Sequence, residues 1–219
     1  MNTHRLTYRI TTLSPLVLSK TGSQGFLVNT RDFIPGTVIL GMCAARYIQT
    51  HEKLSYHNAH EDKTFQNWFL NGALCFDNAY ITSCDEMGSE KENMPIPLSI
   101  QQLKDKSGNV YDLLFEEEEH KSASFDGYGR IQEAGGESPI LYIQHIKKSL
   151  NFHHQHDPVK GTAKPGVFFN YESIDPGQTF TGEITGSQNL LQAFKDEFKN
   201  EKIFYVGRSR NTQYGKINL

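Results

Sequence analysis

Paired cysteines are missing from this chain. Cys43, Cys75 and Cys84 are its three cysteines, an odd number with no CxxC spacing, which argues against a disulfide framework and fits a reducing cytoplasm. Long apolar runs are missing too. Nothing approaches the ~20 consecutive apolar residues that span a bilayer. Met1 to Ile10 alternates polar residues where a signal peptide needs an apolar stretch. The expectation is a soluble cytoplasmic protein with no membrane contact. An excess of either charge is also absent: 22 Lys and Arg face 25 Asp and Glu, for a net charge of −3 and a pI near 6.3. That balance excludes a protein coating nucleic acid with its whole surface. A local basic groove remains open, because steering depends on how charge is distributed. There is no internal repeat.

What is present reads as one polar globular chain. Its 219 residues, 37% hydrophobic and 21% charged, suit one large domain or a smaller one with a long insertion. Leu6, Tyr8 and Ile10 alternate with polar residues at the period of a half-buried strand, ended by Ser14-Pro15. Gly36-Thr37 opens a helical pattern, with Thr37 as N-cap and Val38, Ile39, Met42, Cys43, Ala45 and Ile48 on or near one face. Phe65 to Leu70 reads as a short helical turn and Leu74 to Tyr80 as a second strand. Gln178 to Thr185 alternates as a strand, and Asn189 to Asn200 is a helix carrying Leu190, Leu191, Phe194 and Phe198 at i, i+4, i+8 spacing. Ile203 to Val206 or Lys216 to Leu219 supplies a last strand. The order β-α-β, long middle, β-α-β is that of an α+β, ferredoxin-like (RRM-like) fold. A single domain, 1–219, is expected, with its core in 1–80 and 178–219 and an insertion, 81–177, between the second and third strands.

The most informative segment is the tail from Gly207 to Leu219. Two glycines, Gly207 and Gly215, bracket Arg208, Ser209, Arg210, Asn211, Thr212, Gln213 and Tyr214. Glycine lets backbone approach a ligand and take positive φ, arginines pair with phosphate, and a tyrosine stacks on a base. From Lys202 to Lys216 there are four basic residues and no acidic one. An ordinary surface turn uses the same residue types. A second segment, Arg31-Asp32-Phe33-Ile34-Pro35-Gly36-Thr37 through Gly41, places a Pro-Gly turn before a helix whose N-terminal amides suit an anion. Gly41 there is expected to admit another backbone.

These two segments together resemble the CRISPR-associated RAMP superfamily. Phe33-Ile34-Pro35-Gly36-Thr37 followed by Gly41 is similar to its YIPGSSLKG segment, and Val206-Gly207-Arg208-Ser209-Arg210 through Tyr214-Gly215-Lys216 to its C-terminal glycine-rich loop. Phe69 through Ala79 and Phe168 through Phe180 resemble two further stretches of the family. The resemblance implies a RAMP domain that binds guide (CRISPR) RNA beside other RAMP and effector subunits of a type III complex. The type III-D pattern is the nearest. The RNA-binding set it implies is Arg31, Gly36, Lys147, Lys148, Gly207, Arg208, Arg210, Tyr214, Gly215 and Lys216, with no catalytic residue, metal or other cofactor. Backbone subunits of such complexes cut target RNA with an aspartate upstream of the Ile-Pro-Gly motif. Asp32 lies directly against Phe33-Ile34-Pro35, so that role is not carried over.

Two other readings were open at this level. A metal-independent ribonuclease maturing guide RNA would use a histidine near the first helix, and His51, His57 and His60 are there. His153-His154-Gln155-His156-Asp157 carries zinc-ligand types without a second cluster at zinc spacing. A scaffold subunit would dock a neighbour through the acidic run Glu116 to Glu119. Among the aromatics, Tyr214, Tyr128 and Phe26 lie in glycine-containing loops and are the stacking candidates, whereas Trp68 fits a core position.

Overall fold

Alternation decides the first strand. In β1 (His4–Thr12) Tyr8, Ile10 and Thr12 are buried while Arg9 faces out. The computed structural model describes residues 3–20, 27–84, 89–104, 110–115, 122–125, 127–134, 137–156 and 163–219. It is a mixed α+β structure of mostly antiparallel sheets with few helices. Two compact units divide it: one contains Met1–Ala79 and Lys147–Leu219, the other Tyr80–Ile146. The stretch 81–177 is thus shared between them.

In the first unit β1 is followed by β2 (Leu27–Val28), α1 (Gly36–Thr50) and β3 (Leu74–Phe76). After the second unit come β4 (Lys148–His156), β5 (Ala163–Ile174), β6 (Thr179–Gly186), α2 (Gln188–Phe198), β7 (Ile203–Tyr205) and β8 (Lys216–Asn218). Both tail segments are strands, and they pair with each other. The main sheet of this unit runs β7-β8-β1-β6-β3, all antiparallel. β1 and β6 hold it together along a register from His4↔Gly186 to Thr11↔Thr179. A second sheet places β5 between β4, antiparallel, and the short β2, parallel.

Helices α1 and α2 cover one face of the main sheet. Ile39 and Cys43 of α1, Phe194 and Phe198 of α2, and Leu6, Tyr8 and Ile184 of the sheet surround a cleft of about 350 Å³. Burial pushes the Cys43 thiol up to about 12, so it is neutral and inert at ordinary pH. The α1–β3 connection packs Phe65, Trp68 and Phe69 against Tyr47 and Phe194, with the Trp68 ring 5.4 Å from each of the last two. That connection includes a single α-turn (Lys63–Phe65) and a π-helical turn (Gln66–Leu70). Leu191, Phe194 and Phe198 are the buried stripe of α2, as the spacing requires.

Three local expectations change. Pro35, not Thr37, is the residue before α1, and its carbonyl accepts from Val38 N–H at 2.9 Å. Strand Leu74 to Tyr80 breaks after Phe76, because Ala79 leaves to exchange two hydrogen bonds with Ile34 (2.9 and 3.0 Å). Gly41 meets no neighbour, since a Cβ there would point into open space. Gly36 is the one at close quarters: a Cβ would run into the Phe76 carbonyl oxygen.

The second unit is built from small antiparallel pairings. Tyr80–Cys84 pairs with Glu90–Glu92, Tyr128–Ala134 lies between Met94–Pro95 and Glu137–Gln144, and Ile100–Leu103 lies between Val110–Asp112 and Ser122–Ser124. Arg130 stacks 4.5 Å from the Tyr142 ring and donates to Ser83 Oγ. Tyr128 is buried within this unit. Glu116 to Glu119 and Phe26 lie outside the described residues.

The helical glycines separate two effects. Gly41→Ala should raise stability by about 1 kcal/mol, because alanine restricts the unfolded chain and meets no clash. Gly36→Ala should lower it. Urea midpoints of the two variants check both signs.

Candidate nucleic-acid interface

After β1 the chain does not turn away into solvent. Leu16, Val17 and Leu18 are buried at 0%, 0% and 4% exposure, and their backbone groups serve three other segments. Leu16 exchanges two hydrogen bonds with Ile174 of β5 (2.8 and 2.9 Å). The Pro15 carbonyl accepts from Gly215 N–H at 2.8 Å, and the Val17 carbonyl from Arg208 N–H at 2.9 Å. Leu18 N–H donates to Thr30 Oγ1, and its carbonyl accepts from Arg31 N–H at 2.7 Å. Residues 15–18 are therefore a spine. It carries the glycine loop, the β4–β5 hairpin and the segment leading to α1.

The loop's two glycines close it against this spine. Both have positive φ, 79° at Gly207 and 78° at Gly215, where a side chain is strained. A Cβ at Gly207 would strike the Val17 carbonyl, and one at Gly215 the Val206 carbonyl. Their small size serves the protein's own backbone. Within the loop, Thr212 N–H and Oγ1 both donate to the Ser209 carbonyl (3.0 and 2.8 Å). This is a tight turn with Arg210 and Asn211 at its centre.

Tyr214 is not exposed for stacking. It is 2% exposed, in a cluster with Val17 and Tyr171, and its hydroxyl pairs with His153 Nε2 at 2.7 Å. His153 stacks on Phe169 at 5.1 Å with an interplanar angle of 9°. Tyr171 receives a hydrogen bond from Arg208 Nε at 3.1 Å, and its ring lies 5.3 Å from the guanidinium carbon. Arg208 is itself exposed. Nothing local to Tyr171 signals this position, since its partner lies 37 residues along the chain.

The other expected residues divide into exposed and engaged ones. Arg210, Lys147 and Lys216 are exposed. Lys147 is fixed through its backbone, whose N–H and carbonyl bond the Gln178 side chain at 2.8 Å each. Arg31 is half-buried with its guanidinium 5.9 Å from the Phe33 ring. Lys148 is engaged, in ion pairs with Asp32 and Glu172. Gly36 N–H donates to Asn78 Oδ1 at 3.0 Å, so that amide of the α1 start already has a partner. Of the histidines near α1, His51 stacks on Tyr47 at 4.0 Å, and His60 lies 3.9 Å from Glu61. The side chains of His154 and His156 lie outside the described set.

Asp32 is the centre of a charge cluster. Lys20 donates to it at 3.2 Å, and Lys148 bridges it to Glu172, whose other oxygen accepts from Thr30 N–H at 2.9 Å. Burial acts to raise its pKa, but hydrogen bonds from Lys148 and Lys20 outweigh it and hold the carboxyl below the usual 3.8.

The family follows from the whole chain. The RAMP superfamily model matches residues 9–218, and the chain belongs to that superfamily. Its fold is similar to that of chains in two cryo-EM structures of the Type III-B Cmr-beta. One is bound to cognate target RNA (10% identity, 98% of this chain and 96% of that one, TM-score 0.57). The other is in the apo state (9% identity, 98% and 95%, TM-score 0.58). No curated protein matches. Among the described residues no group of three or more His, Cys, Asp or Glu side chains is placed to hold a metal ion, and no helix is long and apolar enough to cross a membrane.

The Asp32 cluster carries an acid dependence. A carboxyl whose folded pKa is lowered contributes stability that is present above its unfolded value and lost as pH falls through the folded one. Melting temperature should therefore drop as pH falls below about 4, and Asp32→Asn should flatten that limb. An Asn variant with the same acid slope as the parent would show that Asp32 is not the group responsible.

Proposed function

We propose that this protein is a non-catalytic, guide-RNA-binding RAMP subunit of a type III RNA-guided antiviral complex in the cytoplasm, working beside other RAMP and effector subunits. The observation that carries the reading is Arg208. Its guanidinium is held by Tyr171 through Nε while the residue is exposed, and a phosphodiester is the ligand that a fixed, exposed guanidinium pairs with best. Membership of the superfamily and the similarity to chains of the Cmr-beta structures support it. The β1-α1-β3 and β6-α2-β8 segments, with strand order β8-β1-β6-β3, support a ferredoxin-like core, with unit 80–146 as an insertion between its second and third strands.

Arg208 and Arg31 hang from consecutive spine carbonyls, so both are placed by one rigid element. Arg210, Lys147 and Lys216 are further exposed cations of this unit. Gly207, Gly215 and Tyr214 act by shaping the loop, and Lys148 by fixing the hairpin against Asp32. Gly36 positions α1.

Binding of single-stranded guide RNA, measured by anisotropy across a salt series, tests the reading. Arg208→Ala should weaken binding about tenfold, as loss of a charge-assisted contact does, and reduce the log–log salt slope by about 0.7, one phosphate's worth. Tyr171→Phe should weaken binding severalfold and leave the slope unchanged, because the charge stays while its orientation is lost. Unaltered affinity in Arg208→Ala contradicts the assignment.

A further inference from the structure

The main sheet ends at β7, which is its terminal strand among the described residues. Beside that edge lies a groove of about 740 Å³. One flank of α1 faces β7 across it: Met42, Ala45, Arg46 and Gln49, the i, i+3, i+4, i+7 set that shares one side of a helix. Arg210 to Thr212 of the glycine loop complete the lining.

The register shows what β7 turns toward this groove. Val206 N–H donates to the Gly215 carbonyl and Leu219 N–H to the Lys202 carbonyl, at 2.9 Å each. Hydrogen-bonded pairs alternate along an antiparallel ladder. With Phe204 opposite Ile217, residues 202, 204 and 206 therefore direct their backbone groups to β8, and Ile203 and Tyr205 direct theirs to the open edge. The Ile203 and Tyr205 side chains, 39% and 48% exposed, stand on the sheet face opposite Phe204, beside Asn218 and Lys216. What these two residues present to the groove is backbone: two amides and two carbonyls at strand spacing. Among the described residues none of the four has a hydrogen-bond partner.

Alternating donors and acceptors at that spacing are matched by an extended polypeptide. A phosphodiester supplies acceptors only and would set negative oxygens against both carbonyls. A second copy pairing edge to edge would bring together two segments that each carry four basic and no acidic residues from Lys202 to Lys216, and like charges across an interface oppose it. Arg46 is neutralised by Glu201. Arg210 is exposed and has no ion pair among the described residues, so the occupant that fits carries a carboxylate for it. Apolar side chains suit Met42 and Ala45 on one face of the added strand, and Ile203 and Tyr205 on the other.

Resting on the subunit part of the reading above and not on its RNA contact, we infer that an extended, acidic segment of a neighbouring subunit adds to β7 as a further strand, between β7 and the Met42–Gln49 flank of α1, with a carboxylate on Arg210.

The test is amide hydrogen exchange, resolved to single residues by fragmentation in the mass spectrometer, on the isolated chain and on the complex purified through a tag on this chain. The Ile203 and Tyr205 amides should exchange fast in the isolated chain and at least about tenfold more slowly in the complex, because a strand bond closes them. Phe204, bonded to β8, should change little. Tyr205→Pro removes one outward donor and no bond to β8, and in a complex carrying it Ile203 should lose its protection. Arg210→Glu, which leaves the β7 backbone intact, should reduce that protection severalfold; circular dichroism checks that both variants fold. Amides at 203 and 205 that exchange as fast in a complex retaining its protein partners as in the isolated chain overturn the inference. Protection conferred on the isolated chain by single-stranded RNA alone overturns it too, as does protection that rises with the isolated chain's concentration, the mark of a second copy. A tag that brings down no other subunit overturns the subunit reading and this inference with it. Loss of RNA binding with both amides still protected in the complex overturns the RNA reading and supports this one.

Discussion

The first unit depends on one constraint: three buried residues, Leu16 to Leu18, and the half-buried Pro15 before them must find partners for their backbone groups away from water. An unpaired buried amide or carbonyl costs about as much as a lost hydrogen bond, so the segments that satisfy this spine are held in place by it. The glycine loop supplies Arg208 and Gly215 amides, the hairpin supplies Ile174, and the segment before α1 supplies Thr30 and Arg31. The positive-φ glycines follow from the same demand. Any side chain at Gly207 would push the loop off the Val17 carbonyl that anchors it.

Charge is sorted by the same geometry. Lys20 and Lys148 are consumed in holding Asp32, and Arg46 in holding Glu201. Arg208, Arg210, Lys147 and Lys216 remain exposed on the loop and the hairpin base. The net charge of −3 therefore says little about this surface, because attraction of an anion depends on how charge is distributed rather than on its total. The hairpin does more than carry Lys147 and Lys148. Through Tyr171 it aims Arg208, and through His153 it fixes Tyr214.

Local periodicity made much of the core legible. β1, α1, β6 and α2 follow alternation or helical spacing, and Tyr8, Ile10, Ile39, Met42, Cys43, Ile48, Phe180, Ile184, Leu191, Phe194 and Phe198 are buried as the spacing expects. Leu6, Val38, Ala45 and Leu190 are only half-buried, and the buried Tyr47 was not picked out. Boundaries failed where a distant partner decided them. Asn78 bonds the Gly36 amide and Ala79 pairs with Ile34, so the strand before them is cut short. The candidate site was legible as a list of residues and illegible as an arrangement. The spine looked like the mere end of a strand, because its importance lies in contacts with the far end of the chain, such as Gly215 N–H on the Pro15 carbonyl. Tyr214 looked like a stacking residue because a glycine-flanked aromatic is exposed more often than it is anchored by a histidine 61 positions earlier.

The central claim is that this protein holds RNA, and the material bound to it in its native host measures that most directly. Purified through a tag on this chain from cells that express its complex, the protein should carry short RNAs that share one uniform end, seen by absorbance ratio and by sequencing the ends. A complex that retains every protein partner but carries no RNA, or RNA of random ends, would contradict the account.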